Sequence, residues 1–178
     1  MNLNETLFTA LSDHQLWDDK ITLKRNEFLT LGGTIDTRLY FIESGSFKIS
    51  IMEEDKEHII RFGYQNDFIA ALDSFITNGA SQFYIQALKK SELLYTTKEK
   101  FFSFINNHPD HSTLWKNIIE NVVIQQMERE HDILITSPKK RYERVLKRSP
   151  HLFQEIPHKY IAAYLRMTPE TLSRLKKS

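Results

Sequence analysis

The feature that most constrains the fold is a change in hydrophobic period close to Thr97. Before it, short runs rich in β-branched and aromatic residues alternate with turn residues, a pattern typical of strands. After it, apolar residues recur every three or four positions, a pattern typical of helices. All glycines lie between Gly32 and Gly79, whereas all prolines lie between Pro109 and Pro169. The sequence therefore predicts two architectures in series, an α+β fold.

Eight short strands are predicted in the first part. Their even spacing favours a sandwich or barrel over alternating strand and helix units, and a jelly-roll-like β-barrel is the most economical arrangement. Hairpin turns are expected at Glu43–Ser46 and Glu53–Asp55, with Gly45 supplying a positive φ in the first. The predicted strands are Ile21–Leu23, Asn26–Leu29, Arg38–Ser44, Ser46–Met52, Lys56–Gly63, Phe68–Ala70, Phe83–Ala87 and Ser91–Thr97.

A long helix is predicted over residues 110–135, after a short amphipathic helix over 3–17 and another over 98–107. The long helix would span about 37 Å, more than a domain of this size buries on its own. It is either an ordinary packed helix or a dimer-forming coiled coil, because three- and four-residue spacing is what such a seam requires. The candidate dimerisation residues are Leu114, Ile118, Val122, Gln125 and Arg129.

The charge distribution separates the same two parts of the chain. Residues 1–136 hold 13 basic and 20 acidic side chains, net −7, while residues 137–178 hold 11 basic and 3 acidic ones, net +8. The net charge of +1 for the whole chain is therefore a cancellation. A basic segment of this kind indicates a polyanionic partner, most often nucleic acid.

Two short helices joined by a tight turn are predicted at the end of the chain. The first follows Pro157, and in the second Thr168 is the N-cap and Pro169 occupies the first helical position. Together they form a helix-turn-helix, whose second helix enters the major groove of DNA. The candidate DNA-binding residues are Thr168, Pro169, Glu170, Thr171, Ser173, Arg174, Lys176 and Lys177.

The pair Glu170 and Arg174 and the basic helix over Pro138–Ser149 each have a purely structural interpretation as well. Glu170 and Arg174 share a helix face, so they could read cytosine and guanine or simply form an i,i+4 salt bridge. The helix predicted over Pro138–Ser149 directs its basic residues mostly outward, either as a solvated face or toward DNA. The candidates for contact with the DNA backbone are Lys139, Lys140, Arg141 and Lys159.

At these residues the sequence resembles the Crp/Fnr family of bacterial transcription regulators. The resemblance rests on Glu170-Thr171-Leu172-Ser173-Arg174, on the preceding IAAYL, and on RLYFIESGSFKI and NDFIAALDSF in the barrel. It implies a cyclic-nucleotide-binding-like sensor barrel over residues 1–109, a dimerisation helix over 110–136 and a DNA-binding helix-turn-helix domain over 137–178. The expected partners are double-stranded DNA, a second copy of the chain and an unknown small-molecule effector.

The sequence departs from the family pattern in the expected effector pocket. Family members that bind cyclic AMP carry Gly-Glu-Leu and then an Arg-Ser pair, and the residues in those places here are Ala70, Ala71, Leu72, Ser81 and Gln82. A buried phosphate would lack a cationic partner there, so we expect no usual response to cyclic AMP. Arg166 stands where the family usually has glycine in the turn. The chain ends directly after the second helix, so a full wing is expected to be missing.

Other classes of protein are disfavoured by the sequence. Zero cysteine excludes thiolate metal sites and cysteine-held iron–sulfur clusters, and His58 is the single histidine between residues 21 and 100. No catalytic motif occurs, so neither enzymatic activity nor a metal or cofactor is expected. No apolar run approaches the roughly 20 residues of a membrane span, and no signal peptide is evident, which predicts a cytoplasmic protein. The alternative function is a sensor or scaffold that acts through protein partners without specific DNA binding.

Overall fold

The computed structural model describes residues 2–177. They fall into two compact units that divide at Glu120: the barrel unit precedes this boundary and the C-terminal unit begins at Asn121. The strands are β1 (Asp19–Leu23), β2 (Phe28–Thr30), β3 (Leu39–Ser44), β4 (Ser46–Glu53), β5 (Lys56–Tyr64), β6 (Phe68–Ile69), β7 (Tyr84–Ala87) and β8 (Ser91–Thr96). The helices are α1 (Leu3–Asp13), α2 (Leu72–Thr77), α3 (Lys98–Asn106), α4 (Pro109–Leu134), α5 (Pro138–Arg148), α6 (Pro150–Glu155), α7 (His158–Tyr164) and α8 (Pro169–Lys177).

The predicted α+β fold with a jelly-roll-like barrel is confirmed. Two four-stranded antiparallel sheets, β1-β8-β3-β6 and β2-β7-β4-β5, form the barrel unit. Every predicted strand overlaps an observed one, and the predicted helices are present. The two six-residue helices α2 and α6 were not predicted, because fewer than two helical turns leave little periodicity to detect.

The two predicted hairpin turns have different outcomes. The β4–β5 turn is confirmed, since Glu54 and Asp55 both have positive φ, as a type I′ turn requires. The Glu43–Ser46 hairpin is wrong, because β3 and β4 belong to different sheets and this turn is a corner between them. Gly45 there has φ 110°, and an added Cβ would lie 2.0 Å from Ser91 Oγ. The close approach of the two sheets at this corner therefore requires glycine.

The barrel unit contains two apolar cores. The inner faces of both sheets form the first, around Tyr40 and Phe47. The second packs α1 and α3 against the first turns of α4, with Phe101 and Trp115 in an edge-to-face contact at 4.8 Å between centroids. Burying a side chain of this size contributes about 1.5–3 kcal/mol, so this second core holds the N-terminal part of α4 firmly on the barrel unit.

A separate, smaller core holds the helices of the C-terminal unit together. Its fully buried side chains are Val145 of α5, Ile161 and Ala162 of α7, and Leu172 of α8, together with Leu165 in the turn. These apolar residues recur at helical spacing, so each helix directs one face inward and leaves the opposite face to solvent.

Candidate functional site

The turn between α7 and α8 has the backbone geometry of a tight helix-turn-helix. The N–H of Leu165 donates to Ile161 O at 2.8 Å and the N–H of Met167 donates to Ala162 O at 3.0 Å. Arg166 has φ 51°, in the left-handed region that glycine adopts without strain. Arg166 therefore keeps the backbone shape for which glycine is expected, at some conformational cost.

The N-terminus of α8 is capped as the sequence predicted. Thr168 Oγ1 accepts the backbone N–H of Thr171 at 3.2 Å. The Glu170 carboxylate is fully exposed, and hydrogen bonds from its own backbone N–H and then from the Thr168 hydroxyl lower its pKa. Glu170 therefore remains an anion at neutral pH and can act only as a hydrogen-bond acceptor there.

The exposed side of α8 brings most of the predicted DNA-binding residues together. One open concavity is lined by Pro169, Glu170, Ser173, Arg174, Lys177 and His158 of α7. Thr168 and Thr171 lie at the cap beside it, while Lys176 points elsewhere, with Nζ 6.0 Å from the Phe153 ring centroid. His158 was not predicted, because it reaches this surface through the packing of α7 on α8, which no local sequence pattern reveals.

Glu170 and Arg174 do not form a salt bridge with each other in the structure. Among the residues that the structure describes, they form no ion pair, and Arg174 Nη2 instead lies 3.5 Å from Thr171 Oγ1. The purely structural interpretation of this pair as a surface salt bridge is therefore not supported. Both side chains are exposed and available to an external partner.

The basic residues of α5 divide between solvent and the chain itself. Lys139 and Lys140 are exposed, as is Lys159 of α7, although Lys139 Nζ approaches Glu143 at 3.9 Å. The prediction that Arg141 points outward is wrong: it is 7% exposed, and its guanidinium donates to the carbonyl oxygens of Ile135 and Arg166. The spacing of apolar residues shows which helix face is buried, but it cannot show that two carbonyl oxygens in the interior accept hydrogen bonds from Arg141.

Two further arginines of α5 form ion pairs with the end of α4. Arg144 Nε and Arg148 Nη1 both lie 3.0 Å from Asp132 Oδ1, and both arginines also contact Glu128. Asp132 is completely buried. The positive charge of the C-terminal unit is therefore partly neutralised internally: its 12 basic and 6 acidic residues leave a net charge of +6.

Three of the five candidate dimerisation residues contact the chain itself. Leu114 and Ile118 belong to the second core of the barrel unit. The Arg129 guanidinium stacks 3.7 Å from the Tyr164 ring centroid, and its Nη2 donates to Tyr164 O at 2.6 Å. Val122 is partly buried and Gln125 is exposed.

A different face of α4 presents its apolar side chains to solvent. The exposed stripe, as we call these four residues, consists of Val123, Ile124, Met127 and Leu134, which are 52%, 56%, 63% and 80% exposed. Ile124 and Met127 follow Val122 and Gln125 by two positions each, a rotation of about 200°, so the stripe faces away from the predicted seam.

The expected effector pocket lies in the segment that contains α2. Ala71 and Ser81 are buried, Ala70 and Leu72 pack against the second core, and Gln82 is exposed. Two of these residues contact the carboxylate of Asp73, which accepts hydrogen bonds from Ser81 Oγ and from the backbone N–H of Gln82, each at 2.7 Å. Asp73 was missed because a single acidic residue in a short loop carries no distinctive pattern.

Neither a metal site nor a membrane span emerges from the part of the chain that the structure describes. In residues 2–177, no three histidine or acidic side chains cluster closely enough to hold a metal ion. Within the same residues, no helix combines the length and the apolar character needed to cross a bilayer.

One protein family matches the strand-rich part of the chain. The family described as the cyclic nucleotide-binding domain matches residues 20–108, which is half of the chain. No curated protein matches the sequence.

Several solved structures share the fold over nearly the whole chain. A CooA mutant from Carboxydothermus hydrogenoformans is 17% identical, with a TM-score of 0.72 over 99% of this chain and 83% of its own. CLP from Xanthomonas campestris, a c-di-GMP-responsive global regulator, is 13% identical, with a TM-score of 0.71 over 97% and 90%. FixK2 from Bradyrhizobium japonicum is 12% identical, with a TM-score of 0.74 over 89% and 82%.

Proposed function

Because this chain belongs to the cyclic nucleotide-binding domain family and has the fold of the Crp/Fnr transcription regulators, we propose that it is a dimeric DNA-binding transcription regulator. The observation that carries the proposal is the exposed side of α8, where Glu170 and Arg174 are both free of ion pairs among the described residues. An arginine can donate two hydrogen bonds to guanine, and a glutamate can accept one from cytosine. Lys177 and His158 border the same concavity.

Positive charge around α8 supports the same function. Lys139, Lys140 and Lys159 are exposed and would contact phosphates, whereas Arg141 is buried and is left out of this set. Phosphate contacts release counterions, so the binding constant should fall steeply with salt concentration.

The test uses duplex DNA selected from a random pool by the wild-type protein. We expect Arg174→Ala to relax the base preference at one position and to weaken specific binding by about 1–3 kcal/mol. Lys176→Ala, which changes a residue pointing away from the concavity, should weaken all sequences about equally. Lys116→Ala, which changes an exposed side chain in the N-terminal part of α4, serves as the control and should leave binding unchanged.

Two outcomes would contradict the proposal. A flat dependence of affinity on salt, or no binding at about 50 mM salt, would favour a protein that acts through protein partners. An unchanged base preference in Arg174→Ala would remove α8 as the helix that reads the sequence.

The exposed stripe supports a second copy of the chain as the partner of α4. Met127 follows Val123 by four positions and Ile124 by three, and Leu134 follows Met127 by seven, which are spacings found in a coiled-coil seam. A homodimer joined there would place two α8 helices in successive major grooves, about 34 Å apart, on a pseudo-palindromic site. The seam we propose is thus the stripe from Val123 to Leu134 rather than the face of Leu114 and Ile118.

The oligomeric state tests this seam directly. Met127→Glu should convert a dimer to a monomer in light scattering coupled to size-exclusion chromatography, because it places a charge in an apolar interface. Ile76→Glu is the matched control, since Ile76 is equally exposed (64%) but lies in the barrel unit. A monomeric wild-type protein, or a dimer that tolerates Met127→Glu, would contradict the seam.

We further propose that the protein does not respond to cyclic AMP in the usual way. The pocket segment offers Ala70, Ala71 and Leu72 in place of a glutamate-containing triplet, and Ser81-Gln82 in place of a cationic pair. Titration calorimetry with cyclic AMP should detect no binding, and a measurable affinity would refute this part of the proposal.

A further inference from the structure

The segment from Asp73 to Phe83 is folded around a single carboxylate. Asp73 Oδ1 accepts the Ser74 N–H at 2.8 Å and the Ser81 hydroxyl at 2.7 Å. Asp73 Oδ2 accepts the Gln82 N–H at 2.7 Å. Both oxygens of the carboxylate are therefore held by donors, including two from the far end of the segment. Hydrogen bonds to a charged acceptor of this length are among the stronger ones in proteins.

The donors on the far side are fixed by contacts that do not involve Asp73. Ser81 is 2% exposed, its N–H donates to Thr34 O at 2.9 Å, and its carbonyl accepts the N–H of Gly33 at 2.7 Å. Ser81 Oγ also accepts the Phe83 N–H at 2.9 Å, which directs the hydroxyl hydrogen toward Asp73. The loop at residues 33–34 thus positions a hydroxyl and an amide that converge on one anion.

We propose that the Asp73 carboxylate is the resident anion of a site in the barrel unit, and that it excludes anionic effectors from the expected pocket. The donors that would bind an external anion are already used, and a second negative charge beside the carboxylate would be repelled. The segment then keeps this conformation without a ligand. Asp73 is in this sense a specificity-determining residue. The site lies entirely in the barrel unit, so it can operate in a chain that binds no DNA.

Chemical rescue of an Asp73→Ala variant tests this proposal. Removing the carboxylate should speed hydrogen exchange at the Gln82 amide about tenfold to a hundredfold, as expected for losing a hydrogen bond to a charged acceptor. Added formate should fill the vacated site and restore slow exchange. Chloride at equal ionic strength should not do so, and the wild-type protein should respond to neither anion.

Two further variants keep the test decisive. Asp73→Asn keeps the side-chain shape but removes the charge, so its Gln82 amide should exchange faster and formate should not rescue it. Thr77→Ala removes a hydroxyl that contacts the Asp73 carbonyl and the Gly79 N–H but not the Asp73 carboxylate, and should leave Gln82 unchanged. Unchanged exchange in Asp73→Asn would overturn the proposal. So would fast exchange in Asp73→Ala without rescue by formate, because that would show a structural bond and no anion site.

Discussion

Helices α5 and α8 are both basic, yet the structure uses their charges in opposite ways. In α5, Arg141 is buried against carbonyl oxygens, while Arg144 and Arg148 are paired with acidic residues of α4. In α8, Arg174 forms no ion pair among the described residues and faces solvent. The lysines of α5 remain exposed. The difference teaches that arginines in a basic run stabilise the fold where carboxylate or carbonyl acceptors lie within reach. The reason is that the planar guanidinium group matches the geometry of these acceptors better than an ammonium group does.

The largest expected effect comes from removing the acceptor shared by the two α5 arginines. Asp132→Ala leaves Arg144 and Arg148 without their buried carboxylate, and we expect the free energy of unfolding to fall by about 3 kcal/mol. Urea unfolding followed by circular dichroism measures the loss. Glu130→Ala, an exposed neighbour on α4, should change stability little. Equal stability of the two variants would show that the α5 arginines are not braces.

A smaller loss of stability is expected for Arg141→Ala. The substitution leaves the carbonyls of Ile135 and Arg166 without their donors, which should lower the free energy of unfolding by about 1–2 kcal/mol. The salt dependence of DNA binding should stay the same, because Arg141 is buried. If the slope of log affinity against log salt fell by about one, Arg141 would instead contact the DNA backbone.

A gain in stability of about 0.5–1 kcal/mol is expected for Arg166→Gly. Glycine adopts the left-handed backbone of this turn without the cost that a side chain incurs, although it also makes the unfolded chain more flexible. Arg166→Ala, measured beside it by thermal unfolding, should show no such gain. If both variants gained equally, the arginine side chain rather than the backbone would be the source of strain.

The smallest effect on stability is expected for Lys140→Ala. This side chain is exposed, so the free energy of unfolding should change by less than about 0.5 kcal/mol. The slope of log affinity for DNA against log salt should fall by about one, the loss of one phosphate contact. An unchanged slope would make α5 an internal brace along its whole length and leave DNA contact to α8 and α7.

Local patterns predicted most of the fold, and tertiary relations account for what they missed. The strands around Tyr40 and Phe47 follow from β-branched and aromatic runs, and α8 follows from Thr168 and Pro169 at its start. The match to the cyclic nucleotide-binding domain family confirms the barrel part of the expected resemblance, and the solved structures share the fold of the chain. Periodicity finds a helix face but does not tell what covers it.

The long helix shows this limit most clearly. The face of α4 that contains Leu114 and Ile118 is apolar because it packs on the barrel unit of the same chain. Arg129 continues that face and contacts Tyr164, while Val123 and Met127 on another side remain exposed. A single sequence contains both faces of the helix, and only the folded chain distinguishes the one it covers itself. The same holds for Asp73, whose donors come from positions eight and nine residues further along.

The contacts of Arg129 and Asp132 also determine which helices unfold together. Both residues lie on the last turns of α4, and they hold α7 and α5 through one stacked guanidinium and one shared carboxylate. Elements joined this way unfold as one cooperative group, since releasing one partner leaves the other charge buried and unpaired. The amides of α5, α7 and the end of α4 should therefore exchange with a common free energy and a common denaturant dependence. Helix α8 is therefore supported by one cooperative group of helices and not by a flexible segment.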